Sequence, residues 1–196
     1  MNYTKQNLKI PNEILRQRLL HARAISGKEY ELGIMSNIAN RRLPLLEMIE
    51  DKTGVPIVAS SMEKSKGRQS GQSEAILQHQ RGITDRKTGL RIPDAIIEFL
   101  KKGSVVDQVY ALEVSLQNDL TRIGSSNTCN IDIHKPQQLA LTMAVMASKP
   151  EYKAASLDYI YMSPWEPTTS TETRLLVPLQ NLNNSDRINF TWLTVD

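Results

Sequence analysis

Two runs rich in Val, Ile, Tyr and Phe face each other between Arg91 and Gln117 across Lys101-Lys102-Gly103-Ser104. That composition makes a β-hairpin the strongest local constraint in the chain. With Gly103-Ser104 as a two-residue II′ turn, Lys102 pairs with Val105. Counting back from there sets Ala95 against Leu112 and Ile97 against Tyr110, so one face of the hairpin is apolar and can cover a core. The same register sets Asp94 against Glu113.

Directly opposed side chains have Cβ atoms about 5 Å apart, and opposed like charges destabilise a strand pair unless something compensates. A divalent cation would do so. Oxygen ligands in a partly open site suit Mg²⁺, and a metal held by carboxylates beside a phosphodiester can generate hydroxide and stabilise developing charge. The competing interpretation is structural: Asp94 caps the strand after Pro93, and Glu113 lies on a solvated edge.

Pro93-Asp94, the intervening hairpin and Leu112-Glu113-Val114-Ser115 resemble the core of the PD-(D/E)xK nuclease superfamily. That group includes restriction endonucleases and nuclease-like proteins of plasmid replication and relaxation. The likeness extends to a helical segment around Gln137 to Ser148 and a strand at Leu157 to Met162. It implies an α/β fold of restriction-endonuclease type, a mixed central β-sheet flanked by helices, with Mg²⁺ held by Asp94 and Glu113 and with DNA as the partner. Ser115 occupies the place where the pattern expects lysine, completing a catalytic set of Asp94, Glu113 and Ser115 that lacks a positive charge. A glutamate from an early helix often adds a ligand in this superfamily, which makes Glu31, Glu47 and Glu50 candidates by resemblance; their spacing does not choose among them.

A chain of 196 residues suffices for one domain with a sizeable core. We expect a helical segment over 1–51 and a mixed-sheet core over 52–196. The net charge of +3 is too small to imply a nucleic-acid partner, since distribution matters more. Cys129 is the only cysteine, so no internal disulfide forms, and no zinc cluster has its ligands. With no apolar leader and no run of membrane-spanning length, the cytoplasm is the default location. Gly-rich phosphate loops, HxxxH-type pairs and nucleophile elbows are absent, which leaves NTPase, zinc-protease and α/β-hydrolase readings unsupported.

Pro11 to Ala24 predicts a basic amphipathic helix, with Pro11 in the first turn, Asn12 as a cap, and Arg16, Arg18, His21 and Arg23 among its apolar positions. Lys28 to Asp51 predicts a longer helix kinked or broken at Pro44, and Val55 to Ser60 a first strand. From Ser61 to Gly89 the composition turns polar and loop-like. Seven basic residues (Lys64, Lys66, Arg68, Arg81, Arg86, Lys87, Arg91) stand there and just beyond against two acidic ones, Glu74 and Asp85. Such a stretch can follow a phosphate backbone, with Gln and Arg reaching base edges; His79 either joins this surface or is simply exposed. Gln117 extends the polar face of the second arm. Asn118 to Lys135 reads as a connector, in which Cys129 packs, His134 caps or is exposed, and Lys135 can supply a displaced positive charge.

Leu139 to Ala147 predicts a helix crossing over the sheet to the Leu157–Met162 strand, followed by short strands at Leu175–Leu179 and Ile188–Val195. Trp165 and Trp192 read as packing aromatics, with stacking on an unpaired base as the alternative. The sequence thus points to a Mg²⁺-dependent endonuclease acting on DNA, as a dimer if it cuts both strands. Two alternatives stand beside it: a nuclease-like accessory of plasmid replication or mobilisation that binds without cutting, and a phage or plasmid structural protein.

Overall fold

The structure, a computed structural model, describes residues 1–59, 74–79, 94–101, 105–116, 142–183 and 185–196. In chain order the elements are β1 (Asn2–Leu8), α1 (Glu13–Ile25), α2 (Gly27–Ala39), α3 (Leu45–Thr53), β2 (Ile57–Ala59), β3 (Glu74–His79), β4 (Ala95–Lys101) and β5 (Val105–Val114). Then come α4 (helical over 142–148), β6 (Ser156–Ser163), α5 (Thr169–Gln180) and β7 (Ile188–Val195). They build an α/β fold around one mixed seven-stranded sheet in the order β1-β7-β6-β5-β4-β3-β2.

The sheet changes character at β5. On one side β3, β4 and β5 form an antiparallel meander; on the other β5, β6, β7 and β1 run parallel. Parallel strands need crossovers, which α4 and α5 supply. Both sheet faces are therefore covered, and β6 reads as a nearly continuous buried run from Leu157 to Ser163. The first face packs Ile97, Phe99, Tyr110, Leu112, Ile160 and Leu193 beneath Leu19 of α1, Tyr30, Ile34 and Ile38 of α2, and Leu46 and Ile49 of α3. The second packs Ile96, Val109, Ala111, Tyr159, Phe190 and Trp192 beneath Met143 and Met146 of α4 and Leu175 and Leu179 of α5. Each large apolar side chain fully buried this way contributes about 1.5–3 kcal/mol.

The β4–β5 register is the expected one over Ala95↔Leu112 to Phe99↔Gln108. Its origin is different. Lys101, rather than Lys102, pairs with Val105, and a bulge between Phe99 and Leu100 leaves Asp107 as an extra residue on β5 that restores the offset. The Gly103-Ser104 turn itself lies outside the described residues.

Other expectations need correcting. Residues 1–51 are not purely helical: the polar Asn2–Leu8 segment is an edge strand, recruited by its ladder with the apolar β7. Pro11 precedes the helix instead of opening it, and Asn12 is the cap, its side chain accepting from the Ile14 and Leu15 amides at 2.8 and 3.2 Å. The Lys28–Asp51 segment is broken, as Pro44 predicts, into two helices; the break spans Asn40–Pro44, where Arg41 adopts φ 54°. Within the polar Ser61–Gly89 stretch, Glu74–His79 is a strand paired with both β2 and β4. Leu175–Leu179 is helical, not extended. Thr168 caps α5 by accepting from the Thr171 amide at 3.1 Å, and Thr171, Leu175 and Leu179 recur every fourth residue on its buried side. A five-residue apolar run cannot by itself distinguish the two periodicities.

Candidate active site at the β4–β5 strand ends

Asp94 stands one residue before β4, and Glu113 is the penultimate residue of β5. They occupy the same end of the sheet. Asp94 Oδ2 accepts the Val114 amide at 2.7 Å, which ties the residue across to the neighbouring strand one position from Glu113. Alternation along β5 puts Glu113 with Val109 and Ala111 on the second face, where the Tyr159 hydroxyl donates to its Oε2 at 3.4 Å. Tyr159 lies directly beneath, fully buried, and its hydroxyl is held well above the ordinary range by burial and then by the Glu113 charge.

A third carboxyl group comes from a distant part of the chain. Glu31, in α2, reaches the Asp94 side chain. The Asp94 carboxyl is pushed up to about 8, first by burial, then by the neighbouring Glu113 charge and the Glu31 contact, with the Val114 amide pulling the other way.

Of the three glutamates the sequence leaves open, Glu31 alone meets Asp94. Glu50 is gripped by Arg41, Nη2 to Oε1 at 2.7 Å and Nη1 to Oε2 at 2.9 Å, and its Oε1 also accepts the Ile57 amide at 2.6 Å. The Arg41 hydrogen bond holds the Glu50 carboxyl below its usual range. Glu47 shares the same guanidinium at 3.3 Å. Those two carboxylates fasten the α2–α3 corner to β2 and restrain the left-handed Arg41 backbone, and both are structural.

Ser115 follows β5, its amide donating to the Met162 carbonyl at 2.9 Å. Its side chain brings no cation. Lys64, Lys66, Arg68, Arg81, Arg86, Lys87, Arg91 and Gln117 lie outside the described residues, as do Cys129, His134 and Lys135. Among the described residues no group of three or more His, Cys, Asp or Glu side chains converges to hold a metal ion. The donor set fits Mg²⁺ chemically, being all carboxylate oxygen at a strand end.

Trp192 is buried, as its sequence context suggests; Trp165 is not. It lies just past the end of β6 and is 38% exposed. Trp192 stands inside the apolar run of β7, whereas Trp165 follows Pro164 beyond the end of β6. Comparison with known proteins adds nothing to this picture: no protein-family model, no curated protein and no solved structure matches the chain.

Proposed function

We propose that this protein is a metal-dependent DNA endonuclease of restriction-endonuclease-like fold, with Asp94 and Glu113 as Mg²⁺ ligands and Glu31 as the third carboxylate. One observation carries the reading: at the strand end Asp94 is flanked by the carboxyl groups of Glu113 and Glu31, and burial together with these neighbours pushes its own carboxyl well above the ordinary range. Such an arrangement is unfavourable without a cation, and perturbed carboxyl groups of this kind concentrate at functional sites. The order of strand-borne Asp, hairpin, strand-borne Glu, helix and parallel strand also supports it.

When bound, Mg²⁺ supplies a polarised water and a counter-charge for the scissile phosphate. The chain's own residues do the rest. Asp94 is fixed by the Val114 amide through one carboxylate oxygen, beside Glu31 and Glu113. Deprotonation of Asp94 frees its carboxylate as an oxygen donor, so ligand binding and deprotonation are linked. Tyr159, donating to Glu113, orients that carboxylate.

A second reading, DNA binding without cleavage, is favoured by Ser115, which leaves the motif's cationic position without a charge. Incubation of supercoiled plasmid with Mg²⁺ separates the two. Nicked or linear product that disappears in Asp94→Asn and Glu113→Gln supports the nuclease. A gel shift in Ca²⁺ with no product in Mg²⁺ supports the binder. Wild-type cleavage by either variant removes these carboxylates from the mechanism.

A further inference from the structure

Trp165 is the one large aromatic among the described residues that stands open to solvent, yet it is held from several directions. Its indole Nε1 donates to the Leu116 carbonyl at 2.8 Å, its amide donates to Ser163 Oγ at 3.3 Å, and its own carbonyl accepts from Trp192 Nε1 at 2.9 Å. The Arg23 guanidinium, in the last turn of α1, lies 4.7 Å from the ring centroid. A mobile surface tryptophan would need no such restraint. An aromatic plane held by hydrogen bonds at its indole, amide and carbonyl, with a guanidinium over the ring, is suited to a partner that is itself flat and anionic.

The location narrows the partner. Leu116 is only three residues beyond Glu113, about 10 Å of extended chain. A Cβ placed on Gly27 would touch the Leu116 side chain at 3.7 Å, and Glu31 follows one helical turn after Gly27. Arg23, Glu31, Leu116 and Trp165 therefore converge on the strand end that carries the acids.

We infer that Trp165 and Arg23 form a stacking subsite for an unpaired base of a DNA strand, with Arg23 answering the adjoining phosphate, so that the preferred substrate exposes single-stranded nucleotides near the cut. This rests on the proposed nuclease reading for its substrate class. A base inside a closed duplex offers no free face to an indole, whereas stacking on an aromatic side chain accepts any unpaired base.

Trp192 is buried, so quenching of the exposed indole by short oligothymidylate, in Ca²⁺ to prevent turnover, reports on Trp165. Wild type should bind the single strand and lose fluorescence. Trp165→Ala should weaken binding by about 5- to 100-fold, and Trp165→Phe, which keeps an aromatic plane, should recover most of it. Arg23→Gln should weaken binding and lower the salt slope by about 0.7. Unchanged fluorescence, equal affinity in Trp165→Ala, or tighter binding and equal quenching by a duplex of the same length would each overturn the subsite. If Trp165→Ala fails to fold, Arg23→Gln decides alone, and wild-type affinity and slope in it overturn the proposal. Single-strand binding with quenching but no cleavage in Mg²⁺ would sink the nuclease reading and leave the subsite standing. Cleavage unaffected by Trp165→Ala, together with unchanged fluorescence, would do the reverse.

Discussion

At the scale of the residue, Asp94 concentrates the consequences. Its carboxyl titrates near 3.8 in a free chain and near 8 in the folded protein. Between those values the native state holds a proton that the unfolded chain has released, so stability is complete below the lower value and is lost as pH rises through the upper one. Each unit of displacement corresponds to about 1.4 kcal/mol, and interaction with the neighbouring carboxyl groups makes the realised change smaller than the full interval implies. In metal-free buffer the wild type should lose on the order of 1–3 kcal/mol between pH 5 and pH 8 in urea melts. Asp94→Asn mimics the protonated acid, accepting from the Val114 amide and donating to Glu31, and should show a flat profile over the same range. A slope equal to the wild type's would mean that Asp94 is already ionised in the native state. Saturating Mg²⁺ should reverse the wild-type loss at pH 8, by about 2.7 kcal/mol at a hundredfold excess over Kd, and should do little for Glu113→Gln. An equal gain in both proteins would place the cation elsewhere.

At the scale of the element, a helix cap lies next to Glu31 and a bulge absorbs a register mismatch in the hairpin. Ser26 ends α1 and caps α2, its hydroxyl accepting from the Glu29 amide at 3.1 Å, two residues before Glu31. Ser26→Ala should cost about 0.5–2 kcal/mol of stability, and Ser26→Asp should restore it, as chemical denaturation would record. The bulge is the one at Asp107. Deleting Asp107 removes the extra residue while leaving Phe99↔Gln108 and every pair towards the acids in place. Cross-strand proton contacts between Ile97 and Tyr110 should therefore persist, and cleavage should stay within a few-fold of wild type. Loss of those contacts would show that the bulge, and not the apolar face, sets the register. The hairpin expected from Gly103-Ser104 and the observed one agree at the acids for this reason: the apolar face of Ala95, Ile97, Tyr110 and Leu112 has one favourable register, and the bulge absorbs the mismatch.

At the scale of the molecule, the sheet divides its tasks. In the parallel half β6 is buried on both faces, and the meander brings Asp94 to the end of β5. In that parallel half Asp158, 4% exposed, is satisfied by Gln108 at 3.0 Å, Asn189 at 3.3 Å and Lys52 at 3.5 Å, which links β5, β7 and α3 through one buried carboxylate. If the basic residues of the Lys64–Arg91 stretch contact phosphate, DNA affinity should fall steeply with salt. Neutralising Lys64, Lys66 and Arg68 together should then flatten the slope by up to about 3. An unchanged slope would leave that stretch a solvated surface. Among the described residues no helix is long and apolar enough to cross a membrane.

Sequence alone determined what depends on neighbours along the chain. Asn12 announces the start of α1, Pro44 marks the break between α2 and α3, and the alternation around Ile97 and Tyr110 dictates which face of the hairpin is buried, hence that Asp94 and Glu113 share a strand end. Hydrogen bonding and burial at adjacent positions suffice for these. Tertiary structure decided what depends on partners remote in sequence. Asn2–Leu8 is polar and becomes a strand only because β7 offers a ladder; Leu175–Leu179 becomes a helix because α5 lays a four-residue stripe on the second face. Glu31, Glu47 and Glu50 are indistinguishable as letters. They part company only when the fold sends Arg41 to the latter two and Asp94 to the first, since the environment of a carboxylate is set by charges that no local spacing records.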